Sequence, residues 1–400
     1  MRTQRSRNAS SIDQGKYIPP CPHYPACFGC PLISVPYPEQ LLRKRRIVEN
    51  ALAACSNLSG LEVPPVVSSP RRLGYRARIK LVVRRGNKGV LTGLYLPQSH
   101  QVVDISSCPV HPPAVNRVVQ FLKREIQRLG IAPYDETDDT GELRYIDIRF
   151  SFWQRKIALA LVTRHASFFP GAELSRNLKR RFSFIEGVVQ NINEERGNVI
   201  WGDRFRSLSG RDTLLERFGW LKLRLPNGVF SQANPAVARR IYETVAALAN
   251  LNGEETVLDL FCGVGPISLY LAASARLVWG TDENPLAIAT AKQNARMNGF
   301  HNCRFVEGDV SEILNHSRLN LPKIDLAVLN PPRKGIQPAA MDALISLQVP
   351  RMIYVSCDPV TLARDLDRLA GRGYQPLRIQ PFDMFPQTEQ VETVTLLEKV

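Results

Sequence analysis

The last part of the chain alternates strand-like and helix-like segments, and this pattern restricts its possible folds more than any other feature. From about residue 231, apolar runs such as TVLDLF, LVWGTD and IDLAVLN alternate with amphipathic stretches such as NPLAIATAKQNARMNG. Such alternation over about 165 residues predicts an α/β domain with a doubly wound, mostly parallel sheet. Ligands of these sheets bind at the carboxyl ends of the strands, so the residues that follow each strand are the candidate site residues.

The preceding sequence has a different texture. Between residues 71 and 230, segments such as RIKLVVRR, GVLTGLYL and LRYIDIRFSF flank one amphipathic helix, VNRVVQFLKREIQRLG, which predicts an α+β module with antiparallel strands. Residues 21–70 contain a cysteine-rich loop, a helix at about 38–55 and a Pro-rich link. We therefore expect a disordered basic lead (1–20), a cysteine loop with its helix (21–70), the α+β module (71–230) and the α/β domain (231–400).

Length and composition exclude several classes of protein. A chain of 400 residues with 44% hydrophobic residues fits two or three soluble domains. No apolar run is long enough to span a membrane, and the N-terminus lacks the apolar core of a secretory signal. Eight cysteines in this length fit a reducing compartment better than a disulfide scaffold, so we expect a cytoplasmic protein.

The basic residues are clustered. The chain carries 52 Lys and Arg against 37 Asp and Glu, a net charge of +15. Residues 71–90 contain eight Lys or Arg and no acid, and LLRKRRI at 41–47 adds four more. A solvated face is the alternative for either run alone, but together they favour binding to a phosphate backbone. Tyr75, among these arginines, is a candidate to stack on a base.

Four cysteines have the layout of a metal site. Cys21, Cys27 and Cys30 follow a C-x5-C-x2-C spacing, and Cys108, in SSCPVHPP, follows after a gap of 77 residues. Four thiolates are what an iron–sulfur cluster needs. Zinc is the first alternative, although structural zinc sites usually show paired C-x2-C knuckles, and unligated thiols are the second. The Pro and Gly residues around these cysteines indicate a loop rather than a helix face.

The ends of the first three α/β strands suggest a nucleotide-like ligand. The first strand runs into the glycine turn DLFCGVG, the second ends at Asp282, and the third at Gly308-Asp309. Glycines give room for a ligand, and an acid after the second strand can accept hydrogen bonds from ribose hydroxyls. The set favours S-adenosylmethionine. A dinucleotide site would require a third glycine where Ser268 stands, and a sheet that binds nothing is the remaining alternative.

The next strand ends suggest the reaction. Asn330-Pro331-Pro332-Arg333 resembles the turn of adenine-N6 methyltransferases, but Arg333 replaces their aromatic residue. Cys357, at the end of the following strand, is a candidate nucleophile, with a buried core cysteine as the alternative. A thiolate that adds to carbon 6 of a pyrimidine makes carbon 5 nucleophilic, and a base must then remove the carbon 5 proton. Glu392 is the candidate base, with an ordinary strand-edge glutamate as the alternative.

Together these motifs resemble the S-adenosylmethionine-dependent RNA 5-methyluridine methyltransferases that carry a 4Fe-4S cluster. The resemblance covers about residues 21–400 and includes the cysteine layout, GYRARIK, VFSQAN, DLFCGVG, NPPRKG, VSCDP and QVE. It implies that Cys357 is the nucleophile and Glu392 the proton acceptor. It further implies cluster ligands and cofactor contacts: Cys21, Cys27, Cys30 and Cys108 for the cluster, and Gln232, Phe261, Asp282 and Asn330 for the cofactor.

The sequence departs from the family pattern at several positions. Asp282 and Asn330 stand where many members carry Glu and Asp, and Pro266 stands where some carry Asn. About 20 residues precede Cys21, so we expect the short form, without the small N-terminal RNA-binding barrel of some relatives.

We expect methylation of a uridine in structured RNA, 23S ribosomal RNA first and transfer RNA second. Cytosine-5 methylation and a non-catalytic RNA-binding role are the alternatives. Cytosine-5 enzymes usually carry Pro-Cys where this chain has Pro332-Arg333, and the presence of both Cys357 and Glu392 argues against the non-catalytic role. RNA is the expected partner, with no membrane and no obligate protein partner, and we expect a monomer.

Overall fold

The computed structural model describes residues 19–87, 89–197, 199–315 and 322–400. The lead predicted at 1–20 lies outside these ranges except for its last two residues. Within them, strands form two seven-stranded sheets and one two-stranded hairpin. None of the helices in these ranges is long and apolar enough to cross a membrane.

The first sheet is built by the middle of the chain. Its strands have the order β3-β2-β1-β4-β5-β6-β7. Neighbours are antiparallel except β5 and β6, which are parallel. This pair differs from the predicted all-antiparallel arrangement because a helix, α3, connects the two strands as a crossover. The elements are β1 (Arg78–Gly86), β2 (Gly89–Tyr95), β3 (Val102–Asp104), α2 (Pro113–Arg128), β4 (Leu143–Ser151), β5 (Lys156–Thr163), α3 (Pro170–Arg181), β6 (Ile185–Ile192) and β7 (Arg204–Gly210).

The second sheet confirms the predicted doubly wound architecture. Its order is β12-β11-β10-β13-β14-β16-β15, with β10 to β14 parallel and β16 antiparallel to both its neighbours. The elements are α4 (Pro235–Ala249), β10 (Thr256–Leu260), α5 (Pro266–Ala272), β11 (Leu277–Asp282), α6 (Pro285–Met297), β12 (Cys303–Glu307), α7 (Val310–Asn315), β13 (Leu326–Leu329), α8 (Pro338–Ser346), β14 (Arg351–Ser356), α9 (Pro359–Ala370), β15 (Tyr374–Phe382) and β16 (Glu392–Lys399).

Two segments that precede residue 231 pack on this second sheet. The hairpin of β8 (Thr213–Phe218) and β9 (Leu221–Pro226) buries Phe218 and Leu221 in the core on one face. On the other face, helix α1 (Tyr37–Ala53) buries Val48 and Leu52 against the sheet. Burial of one such aliphatic side chain contributes about 1.5–3 kcal/mol. Residues distant in sequence thus complete both core layers of the α/β unit.

Candidate active site and cysteine loop

One cavity of about 1160 Å³ lies between the carboxyl ends of the parallel strands and strand β1 of the first sheet. All ten residues that the sequence analysis selected line it. They are Cys21, Cys27, Cys30, Cys108, Gln232, Phe261, Asp282, Asn330, Cys357 and Glu392. Their sequence positions span most of the chain, so the fold brings together groups that no local pattern connects.

The turn after β10 has an unusual backbone. Phe261, Gly263 and Gly265 have φ angles of +64°, +55° and +84°. Glycine adopts this left-handed region freely, but Phe261 does so at a cost of about 1–3 kcal/mol, and such strain is concentrated at functional sites. The turn places Phe261 and Gly263 at the cavity wall, where a ligand could approach the backbone closely.

Asp282 is fixed by this turn. Its Oδ2 accepts a hydrogen bond from the Gly263 N–H at 2.9 Å, and its Oδ1 accepts one from the Asn284 N–H at 3.0 Å. Asp309, after β12, is held similarly by the Ser311 N–H at 2.8 Å, and its hydrogen bonds with Ser311 lower its pKa. Two carboxylates therefore line the same part of the cavity in fixed orientations.

Asp259 is a buried acid that the sequence analysis did not select. It lies within β10, is fully buried and accepts a hydrogen bond from the Ser268 hydroxyl. Removal from water raises its pKa to about 7. The sequence analysis noted Ser268 only because a dinucleotide site would have a glycine at that position. In the structure its hydroxyl orients the Asp259 carboxyl group. A carboxylate inside an otherwise apolar strand was the signal that could have identified Asp259.

Cys357 and Glu392 lie side by side at the other end of the cavity. Strands β14 and β16 are antiparallel, and Ser356 pairs with Thr393 at the end of the ladder. Continuing this register by one residue brings Cys357 opposite Glu392. Glu392 is only 5% exposed, whereas Cys357 is half-buried and opens to the cavity. A substrate in the cavity can therefore reach the thiol directly.

The electrostatics of this pair depend on Arg333. Burial raises the pKa of Glu392 to about 7, and the positive charge of Arg333 opposes this shift. Burial also raises the pKa of Cys357 to about 11, with a further rise from the charge of Glu392 and an opposing effect of Arg333. Arg333 therefore favours the anionic form of both groups. The sequence analysis treated this residue only as the replacement of an aromatic side chain.

The four predicted ligand cysteines lie in one region of the cavity, and all are free thiols. Burial raises the pKa of Cys30 to about 12, and the charges of Cys108, Cys27 and Cys21 each raise it further. A backbone N–H group already points to sulfur: that of Gly29 donates to Cys27 Sγ at 3.4 Å. Such hydrogen bonds are typical of sulfurs that carry negative charge.

These thiols do not form a site for a single metal ion. Among the described residues, no three or more His, Cys, Asp or Glu side chains are grouped so that they could hold one ion. Neither the iron–sulfur cluster nor the zinc alternative is shown by these side-chain positions, so the metal site stays a prediction.

The two basic runs have different outcomes. Arg76, just before β1, and Arg78 and Lys80 on that strand all line the cavity, as a nucleic-acid site requires. Tyr75 does not fit the predicted stacking role: it is 1% exposed and its hydroxyl donates to the Pro386 carbonyl at 3.1 Å. That prediction was wrong because burial alternates from residue 75 to residue 80. Arg76, Arg78 and Lys80 are partly exposed and line the cavity, whereas Tyr75 is buried.

In the helical run, Lys44 is also unavailable to a phosphate. It is completely buried and forms an ion pair with Asp383. Its neighbours Arg43 and Arg45 are paired with Glu39 and Glu49 one turn away. The prediction that this run binds RNA was therefore wrong for Lys44, since helix α1 uses that position to contact the second sheet.

Comparison with known proteins identifies the family of this chain. The model of the tRNA (Uracil-5-)-methyltransferase family matches residues 219–400. An uncharacterised RNA methyltransferase of Geobacter sulfurreducens is 41% identical over 95% of this chain and 77% of its own length. The chain belongs to the RNA (uracil-5-)-methyltransferase family. This methyltransferase is an enzyme that depends on S-adenosylmethionine. Its membership of a uracil-5 family removes support from the cytosine-5 and non-catalytic alternatives.

Other similar proteins extend the match. An uncharacterised RNA methyltransferase of Listeria innocua is 33% identical over 98% of this chain and 86% of its own length. Among solved structures, the Pyrococcus abyssi tRNA (uracil-54, C5)-methyltransferase in complex with S-adenosyl-L-homocysteine superposes with a TM-score of 0.74 at 28% identity. The match covers 93% of this chain and 86% of that one. The similarity therefore includes the first sheet as well as the α/β unit.

Proposed function

We propose that this methyltransferase transfers a methyl group from S-adenosylmethionine to carbon 5 of a uridine in structured RNA, with Cys357 as the nucleophile and Glu392 as the proton acceptor. The observation that carries the proposal is the position of both side chains, beside Arg333, in the same cavity as Phe261 and Asp282. A cofactor bound near the glycine turn and a uracil ring bound near the Cys357 thiol would occupy the same cavity.

The proposed reaction has three steps: addition of the thiolate, transfer of the methyl group and loss of a proton. The Cys357 thiolate adds to carbon 6 of the uracil, which forms an S–C6 bond and an enolate. S-adenosylmethionine supplies an electrophilic methyl group, which carbon 5 of the enolate attacks, leaving S-adenosylhomocysteine. The Glu392 carboxylate then accepts the carbon 5 proton, the S–C6 bond breaks, and the C5–C6 double bond is restored with release of the thiolate.

The protonation states support these roles. A carboxyl group with a pKa of about 7 exists in both forms near neutral pH, so Glu392 can accept a proton and later lose it to solvent. The Cys357 thiol is mostly protonated at that pH, since its pKa is about 11. Arg333, which lowers both pKa values, is thus proposed to stabilise the thiolate and so to activate the nucleophile.

For the cofactor, we propose contacts with Gln232, Phe261, Asp282 and Asn330. Asp282 follows β11, is held by two backbone N–H groups and lines the cavity, so its oxygens are preorganised to accept from ribose hydroxyls. The strained Phe261 presents its ring at the cavity wall beside the glycine turn. Gln232 and Asn330 contribute amide groups to the same wall.

We further propose that Cys21, Cys27, Cys30 and Cys108 hold a 4Fe-4S cluster. The donor set fits this group: four free thiols converge in one region, and their mutual repulsion as thiolates would be relieved by bound iron. Such a cluster supplies a rigid crosslink between the cysteine loop and the segment after β3, and no step of the proposed reaction passes through it.

For the organisation of the chain, we retain the four predicted parts as a proposal: a basic lead (1–20), a cysteine loop (21–70), an RNA-binding module (71–230) and a methyltransferase unit (231–400). Helix α1 and the β8–β9 hairpin pack on the last part from outside its proposed limits. A cytoplasmic location and a monomeric state are part of the same proposal.

The RNA is the finer part of the proposal. We propose 23S ribosomal RNA as the first candidate and transfer RNA, which the Pyrococcus neighbour modifies, as the second. The test is mass-spectrometric mapping of 5-methyluridine in both RNA pools from cells with and without the gene. Loss at one position in 23S RNA supports the first candidate and loss in transfer RNA the second. Unchanged 5-methyluridine in both pools contradicts the proposed function.

A further inference from the structure

Trp201 and Phe205 are two aromatic side chains near the cavity that are not buried. Trp201 precedes β7 and Phe205 lies on it, with ring centroids 5.6 Å apart and planes tilted by 34°. Phe205 is 40% exposed, and its strand is the edge strand of the first sheet. Together with Arg78 and Lys80 of β1 we call these two rings the aromatic–basic platform. Both rings therefore keep part of their surface exposed to solvent.

The platform also carries positive charge. The Lys80 ammonium lies 5.6 Å and the Arg78 guanidinium 6.0 Å from the centroid of the Trp201 ring. Arg78 is paired with Asp147 at 3.2 Å. Burial lowers the pKa of Lys80, and the charges of Arg78 and Arg149 lower it further, so positive charge is in excess here. An anion beside Lys80 would relieve this repulsion.

The platform is continuous with the reaction cavity. Arg78 and Lys80 line that cavity themselves. On the other side, the edge of the Phe205 ring packs on Gly228, where an added Cβ would lie 3.0 Å from Phe205 Cζ. Gly228 leads to Phe230, which is 65% exposed and also lines the cavity. A chain that enters the cavity between these segments therefore passes over Trp201 and Phe205.

We propose that the aromatic–basic platform binds an unpaired RNA nucleotide that flanks the target uridine, with its base stacked on Trp201 or Phe205 and its phosphate beside Lys80. Every base has a face that can stack, and a base inside a duplex does not expose it. The proposal rests on the proposed function and narrows its substrate class to RNA in which a nucleotide flanking the target uridine is unpaired. Charge complementarity and continuity with the cavity favour RNA over a protein partner.

The test measures binding rather than turnover, so it is independent of the reaction. The probe is a labelled oligouridylate, compared with a fully paired RNA duplex at the same salt concentration. We expect Trp201→Leu combined with Phe205→Leu to weaken oligouridylate binding by about tenfold or more, as loss of base–aromatic stacking does, and to leave duplex binding unchanged. Trp201→Phe retains a stacking face and is expected to bind within about threefold of the unchanged protein.

Trp153 offers a matched control. It is 41% exposed and has the Lys222 ammonium 5.8 Å from its ring centroid, but Lys222, unlike Arg78 and Lys80, does not line the cavity. Trp153→Leu is expected to bind the oligouridylate normally. S-adenosylmethionine binding by calorimetry verifies that each variant is folded.

The proposal would be contradicted by normal oligouridylate binding by the double variant, by an equal loss of duplex binding, or by an equal loss of oligouridylate binding in the Trp153→Leu control. Binding of a protein in place of RNA at this surface would also contradict it. None of these results bears on the mapping of 5-methyluridine, so the two proposals fail separately.

Discussion

The Lys44 ammonium and the Asp383 carboxylate form an ion pair that is completely buried between helix α1 and the segment leading to Glu392. Lys44 also donates to the carbonyl oxygens of Phe385 at 3.0 Å and Gln390 at 2.8 Å. Asp383 accepts a second hydrogen bond from the Tyr37 hydroxyl at 2.7 Å. The cysteine-loop region thus holds the segment that ends at the proposed base.

This pair predicts a large stability effect. Lys44→Met would leave the Asp383 carboxylate buried without its cation, which costs about 3–5 kcal/mol of unfolding free energy. Arg43→Ala, which removes an exposed pair on the same helix, is expected to cost within about 1 kcal/mol. Chemical denaturation of both variants measures the difference. Equal stability of Lys44→Met and the unchanged protein would contradict the importance of the pair.

The proposed mechanism predicts a trapped adduct. In Glu392→Gln the methylated intermediate cannot lose its carbon 5 proton, so the S–C6 bond persists. We expect a denaturation-resistant protein–RNA complex on gels, carrying the transferred methyl group. Adding Cys357→Ala to this variant is the control and is expected to abolish the complex. Rapid turnover by Glu392→Gln would rule out this residue as the base.

Arg333 predicts a shift in the pH profile. Its positive charge lowers the pKa of both Cys357 and Glu392, so Arg333→Met is expected to raise both values. The thiolate fraction at neutral pH falls, and the rising limb of the rate profile moves to higher pH by about one unit, which lowers the neutral rate about tenfold. Arg333→Lys keeps the charge and is expected to restore most of the rate. A uniform loss at all pH values would contradict the electrostatic role.

The four-cysteine proposal predicts metal content. Anaerobically purified protein is expected to be brown, with about four irons per chain. Cys108→Ser should lose most of the iron and the colour, whereas Cys55→Ser, at another half-buried free cysteine, should retain both. Elemental analysis gives the result directly. Stoichiometric zinc without iron would replace the cluster with the zinc alternative.

Asp259 predicts a pH dependence of stability. Its folded-state pKa of about 7 lies above the ordinary value of 3.8, so the folded protein binds its proton more tightly than the unfolded chain. This contribution to stability is complete below pH 3.8 and is lost as pH rises towards about 7. Asp259→Asn is expected to show a shallower fall in unfolding free energy across that window. An unchanged pH slope would contradict the raised pKa.

Sequence reasoning worked best where the pattern is local. The strand–helix alternation predicted the doubly wound sheet, and the residues selected at the strand ends line one cavity because parallel strands end at one edge. It failed where a residue's role depends on a distant contact. Tyr75 and Lys44 stand in basic runs but are buried, and their partners, Pro386 and Asp383, lie more than 300 residues away.

The sequence by itself determined the fold class and the family, since periodicity and short motifs are encoded over a few neighbouring positions. Only the tertiary structure decided that the ten candidate site residues line one cavity, that Arg333 acts on both Cys357 and Glu392, and that Trp201 contacts Phe205 and lies near Arg78 and Lys80 of the cavity wall. Proximity, burial and electrostatic coupling are properties of the packed chain, because they depend on which distant segments the fold brings into contact.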